Sequence, residues 1–331
     1  MRGLPWVNAA ALAVALAAST CGVWLSRPRL PGDGQTMPRE GAATIVPSAP
    51  ANLVDSAGVP IPRRDYRRIV SVSPVADEIL VEICEPDRLA AFTATSARSS
   101  QGFRYAGKPT IEQIDDIEDI LSLRPDLVLV NGVRDARPVA RLREAGIIVF
   151  DFGEMRGLST LTRTIRELAE ILGRPERGER FASDVVEGMN AVAADVPVSE
   201  RPRALYLSVY GDSLFGSALE TSFHDVLLAA GLVDAAMTYR GWPQYTPEQV
   251  LAMDPEVIVT HEGMGRALCR RPGLAMLRAC KAPDRIVEVG GEVFTHPGPS
   301  MVETARIIRA AVHGPPATTP FMIEPFTESR R

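Results

Sequence analysis

The run Glu118-Asp-Ile-Leu-Ser-Leu-Arg-Pro-Asp-Leu-Val-Leu-Val130 is echoed 130 positions later by Glu248-Gln-Val-Leu-Ala-Met-Asp-Pro-Glu-Val-Ile-Val-Thr260. Each copy starts as an amphipathic helix and meets a proline that cannot continue it. It then passes through an acidic residue into branched apolar side chains that read as a buried strand. A helix-to-strand unit used twice in similar surroundings predicts two α/β lobes of like construction, facing each other across a cleft. Such an arrangement suits a chain that clasps a ligand better than a one-lobe enzyme.

Around the two copies, strand and helix signals alternate. Arg68–Ser73 and Leu89–Thr93 are β-prone, and Pro74–Ile83 has helical spacing with Ser73 as its cap and Pro74 at its first position. Arg98–Pro109 is a polar loop carrying Phe103 and Tyr105, followed after the first copy by a helix over Pro138–Ala145 and a strand over Ile147–Asp151. This alternation predicts parallel sheets with right-handed crossovers. Residues 158–197 carry helical periodicity and no strand, and Glu176–Ala194 reads as a long helix bridging the lobes, ended by Pro197. The second lobe opens as the first does, with a strand over Arg203–Val209, a loop over Tyr210–Gly216 and a helix over Phe223–Ala230. A strand over Ile286–Val289 and a helix over Ser300–Val312 close it. The expected fold class is α/β: two Rossmann-like lobes with parallel sheets, residues 63–157 and 198–313, joined by a single long backbone helix within 158–197, with an unstructured tail over 314–331.

The N-terminus points to export. Met1-Arg-Gly precedes an apolar, alanine-rich stretch from Val7 to Ala18, the pattern of a secretory signal, and residues 1–26 read as a signal or anchor. Cys21 after Ala18-Ser-Thr resembles a lipoprotein processing site, with cleavage near Ala17 or Ala18 and an uncleaved anchor as alternatives. From Arg27 to Pro62, seven prolines mixed with Gly, Ala and Ser, without apolar periodicity, predict a disordered tether. A net charge of −5 with scattered Lys and Arg excludes a nucleic-acid partner. Four cysteines without CxxC spacing build no zinc site; Cys269 and Cys280 either pair in an oxidising compartment or stay as buried thiols.

Motifs that carry chemistry are incomplete. Gly211-Asp-Ser-Leu214 after a strand spells the serine motif of GDSL-type esterases, with Ser213 as nucleophile, but no histidine has Asp three residues before it. A turn rich in Gly, Asp and Ser explains it better. Gly263-Met-Gly265 lacks the third glycine of a dinucleotide fingerprint. His224, His261 and His296, with Glu262 or Glu303, form an alternative Zn or Mn set at strand ends, although their spacing matches no local ligand pattern. Trp242 lies in the loop just before the second repeat helix, where it either packs in the core or meets a ligand. Glu118 and Glu248 occupy matching first-turn positions; they either complement helix dipoles or offer paired carboxylates to a partner with two arginines.

Several ordered segments together resemble the iron-siderophore and cobalamin binding proteins of ABC importers, of the class with a helical backbone. They are Ser71-Val-Ser-Pro-Val-Ala-Asp-Glu78, Leu121-Ser-Leu-Arg-Pro-Asp-Leu-Val128, Leu142-Arg-Glu-Ala-Gly-Ile-Ile148, Trp242-Pro-Gln, Glu248 to Glu256, and Pro297-Gly-Pro299. The resemblance covers about Tyr66 to His313. It implies a monomeric, exported solute receptor without cofactor or catalysis, holding an iron chelate, haem or corrinoid between its lobes. It further implies docking on a permease dimer through Glu118 and Glu248. Trp242 is similar in place to a tryptophan that touches the corrin in the cobalamin binder. Two segments depart from the pattern: Lys108-Pro-Thr-Ile111 offers no second tryptophan, and Ser300 stands where an arginine is common. Ser73, Pro74, Phe103, Tyr105, Asn131, Tyr210, Trp242 and His296 are the expected ligand contacts.

Overall fold

The computed structural model describes residues 53–99, 102–133, 135–290 and 298–315. It opens with a small antiparallel hairpin, β1 (Leu53–Val54) and β2 (Pro60–Ile61). Next come β3 (Ile69–Ser71), β4 (Leu89–Thr93), β5 (Thr110–Ile111), β6 (Leu127–Val130) and β7 (Val149–Asp151). They form one all-parallel sheet in the order β5-β4-β3-β6-β7. Its helices are α1 (Pro74–Ile83), the short α2 (Ala94–Arg98), α3 (Ile117–Ser122) and α4 (Ala136–Glu144). All four residues of β6 are buried, which is why that strand is an unbroken apolar run rather than an alternating one. Strand order reverses between β3 and β6, and a reversal of this kind opens a crevice at the carboxyl ends of the strands.

Two helices, α5 (Leu158–Ile171) and α6 (Pro175–Ala191), fold against each other around Gly173, whose φ of +72° suits a residue without a side chain. The second lobe contains β8 (Arg203–Tyr210), β9 (Ser213–Gly216), α7 (Ser222–Ala229), β10 (Val233–Asp234), β11 (Gln244–Tyr245) and α8 (Pro247–Met253). After it come β12 (Val257–His261), α9 (Gly265–Cys269), α10 (Arg278–Lys281), β13 (Ile286–Val289) and α11 (Met301–His313). The sheet order is β11-β9-β8-β12-β13, with β10 also on β8. α6 packs on α1 of the first lobe and on α7 and α11 of the second, as expected of the bridging helix. One apolar core runs through it, from Ile79 and Leu80 through Phe181 and Val185 to Val226 and Ile308. Helix α6 thus joins the two lobes through shared apolar packing. Polar joints add to it: Asp225 in α7 accepts the Leu158 N–H at the start of α5 (2.6 Å), and Arg309 in α11 meets Asp195 with both carboxylate oxygens (2.9 and 2.8 Å).

Three expectations need correction. The second sheet is mixed, not parallel, because β9 runs antiparallel to β8 and β11. Tyr210–Gly216, expected as a loop, is a hairpin whose two-residue turn, Gly211-Asp212, has Gly211 at φ +58°. Gly216 is required in β9, since a Cβ there would stand 2.6 Å from the Tyr206 carbonyl oxygen. The tether does not reach Pro62. Asp55 accepts the N–H groups of Ala57 and Val59 and pairs with Arg143, and Ile61 enters the main core. The remaining expectations for the N-terminal signal, Cys21, the earlier part of the tether and most of the tail lie outside the described residues. Among the described residues no helix is long and apolar enough to cross a membrane.

Cys269 and Cys280 form a disulfide with a Cα separation of 5.4 Å, joining the end of α9 to α10. The short loop that it closes contributes about 2–3 kcal/mol in the chain-entropy description. Reduction therefore lowers the free energy of urea unfolding by that amount, and with it the midpoint, and a Cys269→Ala/Cys280→Ala variant shows the same loss without reductant; an unchanged midpoint in both would refute it.

Candidate ligand cleft

On the first lobe, the loops at the carboxyl ends of β3, β4 and β6 carry the expected contacts. Ser73 is fully buried and its hydroxyl accepts the Ala76 N–H, so it serves the start of α1; Pro74 beside it is half-buried. Asp77 anchors this region from below. Its Oδ2 accepts the Thr93 N–H (3.0 Å), the Thr93 hydroxyl (2.5 Å) and the Ser96 hydroxyl (2.7 Å). Burial pushes the Asp77 carboxyl above the usual range, against hydrogen bonds from Ser71, Thr93 and Ser96 that pull it down. Phe103 is 73% exposed, whereas Tyr105 is 3% exposed and stacked on Phe92 with ring centroids 4.3 Å apart. Tyr105 is therefore a core residue, and its place as a ligand wall is withdrawn. Asn131 follows β6 directly and is half-buried.

On the second lobe, Tyr210 at the end of β8 is 69% exposed, its ring edge-on to Phe215. Trp242 joins the two readings open to it. It stands edge-on to Tyr206 and Phe223 at 5.9 Å each, and 48% of its surface stays exposed. Tyr206 and Phe223 stack at 4.1 Å, and the Tyr206 hydroxyl lies 2.9 Å from His261 Nε2. Burial raises the Tyr206 hydroxyl and lowers His261, so at neutral pH this platform is uncharged. Tyr206 and Phe223 were not expected at the site, and His261 was weighed only as a metal ligand; a tyrosine inside one buried strand and a histidine at the end of the next are the signals that could have found Tyr206 and His261. His296, with Phe294, lies outside the described residues.

Glu118 and Glu248 are exposed in the first turns of α3 and α8. Glu248 is held below the usual carboxylate range by its own backbone N–H and the Thr246 hydroxyl. Each helix feeds a core strand, β6 or β12, within four residues. Each glutamate thus lies toward the carboxyl ends of the strands in its lobe.

The rival sites are otherwise engaged. The Ser213 hydroxyl accepts from the Gln244 amide (3.0 Å), a neutral donor that cannot activate it. His224 bonds Asp234 (2.8 Å), Glu303 pairs with Arg306, and among the described residues no three His, Cys, Asp or Glu side chains gather around a metal position. The Gly263 and Gly265 N–H groups, which a dinucleotide would need, donate to the Glu288 carboxylate at 2.9 and 2.7 Å. A cavity of about 570 Å³ lies at the opposite, amino-terminal ends of β3 and β4. There Arg63, Arg67 and Arg174 are matched by Glu170, Asp65 and Glu85.

The model of the family described as periplasmic binding proteins matches residues 69–287, from the first residue of β3 into β13. The chain belongs to this family. The binding protein is 23% identical over 266 residues to the uncharacterized ABC transporter substrate-binding lipoprotein YvrC of Bacillus subtilis (strain 168), covering 76% of this chain and 81% of the relative. It is 27% identical over 216 residues to the vitamin B12-binding protein of Yersinia pestis (strain Pestoides F), covering 65% and 76%. The periplasmic heme-binding protein RhuT from Roseiflexus sp. RS-1 in apo form has the same fold, with a TM-score of 0.65 at 24% identity over 75% of this chain and 98% of that one. As a periplasmic binding protein of ABC import, the chain is an envelope-located solute receptor, not an enzyme.

Proposed function

We propose that this binding protein captures a large, flat or chelated solute, an iron-siderophore, haem or corrinoid, between its lobes and hands it to an ABC permease. Trp242 carries the reading: a tryptophan set edge-on against a neutral aromatic platform, with nearly half its surface exposed beside the cleft, is a rigid wall for a π-faced ligand. Phe103 from the first lobe and Tyr210 from the second offer further exposed rings, with Asn131 and His296 as polar contacts. The names of the relatives, binding vitamin B12 or heme, support the same class. Glu118 and Glu248 are the docking residues of this proposal.

Titration of tryptophan fluorescence with hemin, cyanocobalamin and ferric siderophores tests it. At least one quenches with micromolar or tighter Kd, about −8 kcal/mol or stronger. Trp242→Phe loses most of the signal, and Trp242→Ala weakens binding about tenfold or more, as loss of a central aromatic anchor does. If no member of the three classes binds, the reading fails.

A further inference from the structure

α11 starts without a capping side chain of its own. Ser300, in the N-cap position, makes no side-chain hydrogen bond to the first turn. Glu303, three residues on, is where a capping-box glutamate would reach back to the Ser300 N–H, but its carboxylate pairs with Arg306 at 3.3 Å. The acceptor comes from the other lobe instead. Glu78, on α1, takes the Ser300 backbone N–H at Oε2 (2.8 Å) and the Ser300 hydroxyl at Oε1 (3.1 Å), across 222 positions of sequence. The fit is close: a Cβ on Gly298 would stand 2.8 Å from Glu78 Oε2. We propose that Glu78 is a positioning residue, whose carboxyl group takes, from the first helix of the first lobe, the Ser300 N–H that a capping-box glutamate of the last helix would take, and so sets how the two lobes present the cleft. A carboxylate at a helix N-terminus also meets the positive end of the helix dipole, which favours this seating over a solvated one.

The surroundings of Glu78 make its charge, though not the contact, sensitive to protons. Burial is the largest influence and, against the two bonds from Ser300, lifts its carboxyl to about 7; the neighbouring Asp77 raises it and Arg104 lowers it. Arg104 itself pairs with Glu82 on the same helix (2.5 Å), and Tyr105 feels the Glu78 charge from the segment packed beside α1. Both protonation states keep the cap. The carboxylate accepts twice; the neutral acid still accepts the Ser300 N–H and can donate to the Ser300 hydroxyl. An acid raised on folding is stabilised in its neutral form, so its ionisation penalty is absent near pH 4 and grows until about pH 7. Glutamine copies the neutral form at every pH.

Amide hydrogen exchange on the full, ligand-free chain tests this without regard to which solute the cleft takes. In Glu78→Ala, protection at the start of α11, Val302 to Thr304, and in the facing turns of α1 falls tenfold or more. In Glu78→Gln it stays within threefold of the native protein. The Tm of Glu78→Gln relative to native rises from pH 5 to pH 8, which a residue that merely fills space would not produce. Native protection in Glu78→Ala, or loss in Glu78→Gln equal to that in Glu78→Ala, overturns the proposal. Should the alanine variant fail to fold, Glu78→Met, of similar length but without an acceptor for the Ser300 N–H, takes its place, and native protection at the start of α11 in that variant overturns the proposal.

Discussion

With Glu118 and Glu248 both replaced by lysine, the binding protein keeps its solute affinity and no longer stimulates the ATPase of its permease. The two glutamates stand at the same position of the repeated helix-to-strand unit, exposed, one per lobe. The Glu248 carboxylate stays ionised through the physiological range because its own backbone N–H and the Thr246 hydroxyl stabilise the charge. A partner that reads both would place one cation against each lobe, so each reversal replaces attraction with repulsion. Sites far apart without shared partners combine additively. Each single reversal should thus cost about tenfold in stimulation and the double about a hundredfold, at low salt where exposed charges are least screened. The assay is ATP hydrolysis by the permease in liposomes, with solute binding measured alongside. Undiminished stimulation by the double variant would end the docking assignment, whatever the solute proves to be.

The frame of the fold was open to reading because its strands are covered on both sides. α1, β4 and β13 lie where the apolar runs and the Ser73-Pro74 signal place them, residue for residue. The repeat located α3 with β6 and α8 with β12. What escaped was structure whose cause is distant in sequence or shorter than a period. β1 and β2 are two residues each, too short to show alternation, and their order depends on Asp55 pairing with Arg143, 88 positions away. β9 alternates in burial over only four residues inside a Gly-Asp-Ser turn, so the turn chemistry masked the strand.

The same distinction governs the site. Trp242 was placed by Pro243 and the repeat helix behind it, both local, while its platform of Tyr206 and Phe223 is tertiary. Phe103 and Tyr105 lie two residues apart in one tight turn, so one faces out and the other in, and only the partner Phe92 says which. Ser300-Met-Val-Glu303 reads locally as a capping box, yet Glu303 turns to Arg306 and the cap comes from Glu78.

Replacement of Asp77 by alanine has the largest expected effect on stability. Of the three donors that converge on Asp77 Oδ2, the Thr93 and Ser96 hydroxyls can turn to each other, 3.1 Å apart. The Thr93 backbone N–H cannot turn, and alanine leaves it buried without an acceptor, a penalty of about 1–3 kcal/mol to which the lost hydroxyl bonds add. A total of about 2–4 kcal/mol is expected in urea unfolding, with Asp77→Asn retaining roughly half, since one amide oxygen still accepts the Thr93 N–H. Because burial raises the Asp77 carboxyl, its ionisation works against the folded state, and the native protein loses that share of stability as pH climbs above the ordinary aspartate range. The asparagine variant lacks this slope, so its deficit narrows as pH rises above the ordinary aspartate range. The consequence reaches the cleft through α2, which Thr93 caps by accepting the Ser96 N–H and which leads to the turn bearing Phe103. If Asp77→Ala costs less than about 1 kcal/mol, this network does not hold the first wall of the cleft, and Phe103 must be positioned by the stacked Phe92–Tyr105 pair instead.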